Sequence, residues 1–151
     1  MIQRIQTLYL LAAAVFMVLF YLFPIAIFTT DTFAFEFFNC RLTHPENLKP
    51  PITLVPLAIL PLLSIVLSMT AIFMFKKRKL QMRLGKLNML ILLTVMSVGV
   101  FYLYRIGGLL GGDVSYGYSG IFPVVTFVII IMANRAIKSD DDLVRAADRI
   151  R

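Results

Sequence analysis

The eleven residues from Lys76 to Lys86, KKRKLQMRLGK, include six Lys or Arg and no acid, and they separate two uncharged apolar runs, Ile52 to Phe75 and Leu87 to Tyr104. Few folds accommodate that arrangement. Each run approaches or exceeds the roughly 20 residues that cross the hydrocarbon core of a bilayer as a helix. Short loops rich in Lys and Arg beside span ends mark the cytoplasmic side of a membrane protein. The stretch therefore reads as a cytoplasmic loop between two membrane spans, and its placement orients the rest of the chain.

Two further runs complete the pattern. Leu8 to Phe28 carries no charge, and another apolar run opens near Ser119 or Gly120 and continues to about Ala133. The first run is too long for the apolar core of a secretory signal, about 7–15 residues, and its alanines, Ala12 to Ala14, lie in mid-run. It reads as an uncleaved span. The 151 residues thus form one membrane domain, an all-α four-helix transmembrane bundle, with spans at about 7–28, 52–75, 87–105 and 119–137 and a tail at 138–151. A mean hydropathy of +0.87 agrees.

The charge of +7 is distributed unevenly. Twelve of the fifteen Lys and Arg fall at Arg4, in Lys76–Lys86, and at Arg135, Lys138, Arg145, Arg149 and Arg151. The other three are Arg41, Lys49 and Arg105. The excess is a topogenic signal that places both termini in the cytoplasm, with some attraction to anionic lipid headgroups, about 1 kcal/mol per residue near the surface. No basic-aromatic pattern points to nucleic acid.

Within the spans, Pro24 is expected to loosen the outer end of the first. Pro56 and Pro61 are expected to kink the outer half of the second. Ser64, Ser68 and Ala71 share one face of the second span, where small residues let helices approach closely in lipid. Thr94, Ser97 and Gly99 are small or weakly polar positions in the third. Gly107, Gly108, Gly111 and Gly112 read as a flexible connection. Ser139 with Asp140–Asp142 reads as the start of a tail helix whose stripe is Leu143, Ala147 and Ile150, or more simply as a solvated extension of the fourth span.

Outside the spans, Phe33, Phe35 and Phe37 alternate with other residues, as do Val114, Tyr116 and Tyr118. Period two marks strands. Both segments belong to the external side, so Thr32–Asn39 and Asp113–Ser119 are expected to pair as a small two-stranded β cap. Arg105, at the outer edge of the third span, is expected to snorkel to headgroups, or to pair with Asp113, Glu36 or Asp31 beneath the cap.

Catalytic chemistry finds little support. The spans hold no Asp, Glu, Lys or His, the usual marks of proton relays. His44 and Cys40 are the only residues of their kinds, which excludes an internal disulfide, bis-histidine haem and an ordinary zinc site within one chain. Cys40 reads as a buried or semi-buried thiol. No catalytic residue, metal or cofactor is expected. The candidate interaction or structural residues are Arg105, Asp113, Glu36, Lys76, Lys77, Arg78 and Lys79.

The start, Ile2-Gln3-Arg4-Ile5-Gln6, and the tail, Asn134-Arg135-Ala136-Ile137 to Asp148-Arg149, resemble a family of small bacterial four-span membrane proteins known only as a domain of unknown function. The resemblance covers the whole chain. It implies a bacterial inner-membrane location and no activity. The reading that follows is an interaction or accessory subunit of a membrane complex, in contact with lipid and with a membrane-protein partner or further copies of itself. The alternative is a small transporter or channel component.

Overall fold

The structure, a computed structural model, describes residues 3–29, 34–39, 42–43, 54–75, 77–110 and 113–149. Four long helices account for most of them: α1 (Gln3–Leu22), α2 (Val55–Phe73), α3 (Arg78–Leu110) and α4 (Ile121–Arg149). All four are long and apolar enough to cross a membrane. α1 packs on α2 and α4, and α3 packs on α2 and α4, so the helices close a ring.

One spacing recurs on every helix. The buried positions are Gln6, Leu10, Ala13, Met17 and Phe20 on α1, and Leu57, Pro61, Ser64, Ser68 and Ala71 on α2. On α3 they include Gln81, Gly85, Asn88, Leu92 and Val95, and on α4 Thr126, Ile130, Ala133, Ile137 and Asp140. Steps of four and three alternate in each set, the repeat that keeps one seam facing a partner in left-handed coiled packing. The Ser64/Ser68/Ala71 face meets other helices, as its small residues suggest. The outward faces are also apolar: Leu8, Leu11, Val15 and Val18 on α1 are exposed, as are Ile59, Leu62 and Val66 on α2. A helix apolar on all sides belongs in a protein core or in lipid, so this is a membrane protein. Hydroxyls that face lipid are satisfied within their own helix. Thr94 Oγ1 donates to the Leu90 carbonyl at 3.0 Å and Ser97 Oγ to that of Leu93 at 2.9 Å.

The first span ends earlier than its apolar run. Pro24 has no N–H and disfavours helix at the residue before it, so α1 stops at Leu22. The chain then enters strand β1 (Ala26–Thr29) rather than continuing helical to Phe28. β2 (Ala34–Phe37), β3 (Leu42–Thr43) and β4 (Asp113–Tyr116) join it in an antiparallel sheet of order β3-β2-β1-β4. The cap at this end of the ring therefore exists. The two segments expected to pair, 32–39 and 113–119, contribute β2 and β4 to one sheet, but these strands do not pair with each other, because β1 lies between them; Thr32 and Phe33 lie outside the described residues. Phe28 and Phe37 are diagonal neighbours on one face of the β1–β2 ladder, with ring centroids 6.5 Å apart, and both rings are fully buried with Tyr102 and Ile106 of α3. Tyr116 and Tyr118, in contrast, are exposed.

The junction of α1 and β1 is clamped by the chain that enters α4. Gly117 N–H donates to the Ile25 carbonyl at 2.9 Å, and Ser119 Oγ to that of Pro24 at 2.8 Å. A Cβ at Gly117 would press on both carbonyls, 3.1 Å from the Ile25 oxygen. Asn39 Nδ2 donates to the Phe20 carbonyl at 2.8 Å, tying the residue after β2 back to the end of α1.

In α2, Pro56 sits at the helix start and only Pro61 is interior. Pro61 leaves the Leu57 carbonyl without its usual donor, and the Tyr21 hydroxyl donates to the neighbouring Ala58 carbonyl from α1. α3 passes through Gly107 and Gly108 instead of loosening at Tyr104. Two glycines cost about 1 kcal/mol each against alanine, less than leaving backbone groups unpaired in lipid. Gly111 and Gly112 lie outside the described residues.

Candidate functional site

The ring has a sheet end and a basic end. α3 has 33 residues and α4 has 29, so at 1.5 Å per residue they reach about 50 and 44 Å, against a hydrocarbon core of about 30 Å. The surplus lies at the basic end, where side chains turn from apolar to charged at Lys86 on α3 and Arg135 on α4. The basic stretch is thus mostly helix rather than loop. Its Leu, Gln, Met, Lys and Arg are good helix formers, and the turn between α2 and α3 is confined to the residues around Met74–Lys77. Its bonds run from Met74 N–H to the Thr70 carbonyl at 3.1 Å and from Lys77 N–H to the Met74 carbonyl at 2.9 Å. The acidic run Ser139–Asp142 lies inside α4, not at a new helix start, with Ser139 and Asp142 exposed and Asp140 buried.

These projections are tied together. Arg78 Nη2 lies 3.1 Å from Asp140 Oδ2, both side chains largely buried, and Arg78 Nη1 donates to the Asp140 carbonyl at 3.4 Å. Gln6 Nε2 of α1 donates to the Ala136 carbonyl of α4 at 3.2 Å. Two clefts flank the α3–α4 pair. The first, about 720 Å³, has Lys77, Lys79 and Arg83 around an apolar lining of Phe75, Leu80 and Val144, with Arg78 and Asp141 at its rim. The second, about 510 Å³, carries Lys86, Arg135 and Lys138 beside Met82, Met89 and Ile131, with Asn134, Asp141 and Asp142 completing it.

Below this end the seam of the ring is polar. Asn88 Nδ2 donates to Ser68 Oγ at 2.8 Å and to the Ser64 carbonyl at 3.3 Å, joining α3 to α2. Asn134 of α4 lies against Gly85 of α3, and among the described residues its Nδ2 reaches only the Met89 sulfur, at 3.6 Å. Asn88 Oδ1, Asn134 Oδ1, Gln81 Oε1 and Ser64 Oγ are buried without a hydrogen-bond partner among the described residues. Toward the sheet end the seam turns apolar, with Met17, Phe20, Leu57, Leu92 and Val95.

The sequence-derived candidates divide accordingly. Arg78 takes a fixed place through Asp140, while Lys77 and Lys79 are exposed beside it. Lys76 lies outside the described residues. Arg105 is exposed at the sheet end and forms no ion pair among the described residues. Glu36, opposite Ile27, and Asp113, opposite Thr29, project to solvent instead. Asp31, Cys40 and His44 lie outside the described residues. Sequence reasoning missed Gln6, Gln81, Gly85, Asn88, Asn134 and Asp140. The four-and-three spacing of Gln81, Gly85 and Asn88 with Leu92 was the available signal. It is masked because the apolar run of the third helix starts only at Leu87, one turn and more after the helix itself begins.

The profile of a family described as "Domain of unknown function (DUF4293)" matches residues 2–150, and the chain belongs to that family. No curated protein matches it.

Proposed function

We propose that this four-span member of a family without an assigned activity is a non-enzymatic interaction or accessory subunit of a bacterial inner-membrane complex, with both termini and the α2–α3 turn in the cytoplasm. The observation that carries the reading is the α3–α4 pair. It runs beyond bilayer thickness, is pinned by Arg78 and Asp140, and presents Lys77, Lys79, Arg83, Lys86, Arg135 and Lys138 to water. A rigid projection with uncommitted charge suits docking. The weight of twelve positive residues against three supports the orientation.

Reporter fusions after Phe75 and after Arg151 test the orientation, and an external signal from either reverses it. Purification from gently solubilised membranes tests the role. A stoichiometric partner lost on charge removal at Lys79 and Arg83 supports docking.

A small transporter or channel component is the second reading. The polar half of the seam favours it, because uncommitted oxygens of Ser64, Gln81, Asn88 and Asn134 lie inside the ring. A bound small molecule or ion in place of a protein partner would select it.

A further inference from the structure

We infer that the cleft of Lys86, Arg135 and Lys138 is a binding site for one anionic glycerophospholipid, seated between α3 and α4 at the bilayer surface. This depends on the chain crossing a membrane, and neither on a protein partner nor on which side the basic end faces.

Four observations converge. First, the cleft spans the boundary between hydrocarbon and water. Met89 and Ile131 belong to the apolar parts of their helices, and Lys86 and Arg135 are the residues at which each helix becomes charged. Its apolar wall therefore runs on into the lipid-facing surface, which suits an acyl chain better than a soluble anion.

Second, its cations are uncommitted. Lys86, Arg135 and Lys138 are exposed and take part in no ion pair among the described residues, whereas Arg78 on the opposite side is paired with Asp140. Three cations from two helices around one cleft can grip a phosphodiester. Third, the Asn134 amide lines the same cleft, and its one hydrogen-bond partner among the described residues is a thioether sulfur at 3.6 Å, a weak acceptor.

Fourth, the cleft's volume, about 510 Å³, fits a headgroup with the upper part of its chains, within the ordinary range of ligand sites. Asp141 and Asp142 lie further from the bilayer than Lys138. The first cleft is more basic, with Lys77, Arg78, Lys79 and Arg83 against Asp141, but of its apolar lining only Phe75 belongs to a span, Leu80 and Val144 lying on the charged projections of α3 and α4.

Native mass spectrometry of the delipidated full-length protein in detergent, titrated with phosphatidylglycerol, phosphatidylcholine or inorganic phosphate, tests the site. The double variant Lys86→Gln/Arg135→Gln removes two cleft charges. Lys79→Gln/Arg83→Gln removes two charges elsewhere at the same end and serves as the control. A basic residue near an anionic lipid contributes about fivefold in affinity, so the cleft pair should weaken phosphatidylglycerol binding roughly thirtyfold. The control should stay within about twofold of the parent on the same scale.

Lys138→Gln, a single exposed change, should weaken binding about fivefold and keeps the test valid if the double variant misfolds. Equal loss in both double variants would reduce the effect to bulk surface charge and overturn the site. Equal binding of phosphatidylcholine, or displacement of phosphatidylglycerol by inorganic phosphate, would overturn the lipid assignment.

Discussion

Gly85 of α3 lies directly against the Asn134 side chain of α4, and the Gly85→Ala substitution probes that contact. A Cβ built on Gly85 falls 2.7 Å from both Cγ and Nδ2 of Asn134, well inside van der Waals contact. Overpacking of this kind costs about 1–3 kcal/mol. Replacing a helical glycine by alanine returns about 1 kcal/mol, so Gly85→Ala should be net destabilising by up to about 2 kcal/mol. Asn134→Ala alone should cost little. It forfeits a weak contact to Met89 Sδ and removes a buried oxygen that has no partner. With Asn134→Ala in place the methyl at position 85 has room, and the double variant should be more stable than Gly85→Ala by more than the single effects add to. A coupling of about 1–2 kcal/mol is expected, in the range for residues in contact. Reversible unfolding in mixed micelles, read by far-ultraviolet circular dichroism, measures all four corners of the cycle. If Gly85→Ala stabilises the protein with Asn134 intact, the amide swings aside freely and the reasoning fails.

Ser68→Leu should destabilise the same unfolding transition by about 1–3 kcal/mol, because Ser68 is fully buried and receives the Asn88 amide; an unchanged transition would place that face in lipid. Arg78→Gln should destabilise the same transition by about 1–3 kcal/mol, because it leaves the largely buried Asp140 carboxylate without its cation, and salt should change that loss little, since buried pairs are weakly screened. An unchanged transition would show that the pair contributes nothing to stability. Gly117→Ala should lower the melting temperature by an amount equivalent to about 1–3 kcal/mol, since the carbonyls of Pro24 and Ile25 that its methyl would meet are backbone and cannot swing away; an unchanged melting temperature would show that the clamp gives.

The spans were legible because lipid imposes one rule on every exposed side chain, and runs such as Ile52 to Phe75 obey it without exception. The strands at 34–37 and 113–116 were legible from alternation. β1 was not, because Ala26 to Thr29 continues an apolar run with no change in hydropathy. Only Pro24 marks the switch, and a proline inside a span is as compatible with a kink as with an end. The direct pairing of 32–39 with 113–119 failed for that reason: the strand between them had been assigned to the helix. Among the candidate residues, Arg78 was found by charge alone. Asp140 was hidden in an acidic run whose helix-capping pattern offered a local explanation, whereas its actual partner is 62 positions away along the chain.

The polar seam and the sheet end are held by different physics. Between helices in lipid there is almost no hydrophobic drive, because the displaced tails are as apolar as the side chains that replace them. Close approach and interhelical hydrogen bonds must supply the specificity, and Gly85, Ala133, Ser64, Ser68 and Asn88 are the residue types for that work. At the sheet end, β1 and β2 stand where water competes, and burying Phe28 and Phe37 is favourable in the ordinary way. The four-and-three seam is shared along all four helices, yet its composition changes from amides and hydroxyls near Arg78 to Met17, Phe20 and Leu57 near the sheet. That gradient places most of the spare hydrogen-bonding capacity, the oxygens of Ser64, Gln81, Asn88 and Asn134, beside the charged projection of α3 and α4, while at the sheet end only Asn39 Oδ1 is buried without a partner among the described residues. The clefts at the basic end therefore sit on the part of the ring with more side chains that have partners still to gain.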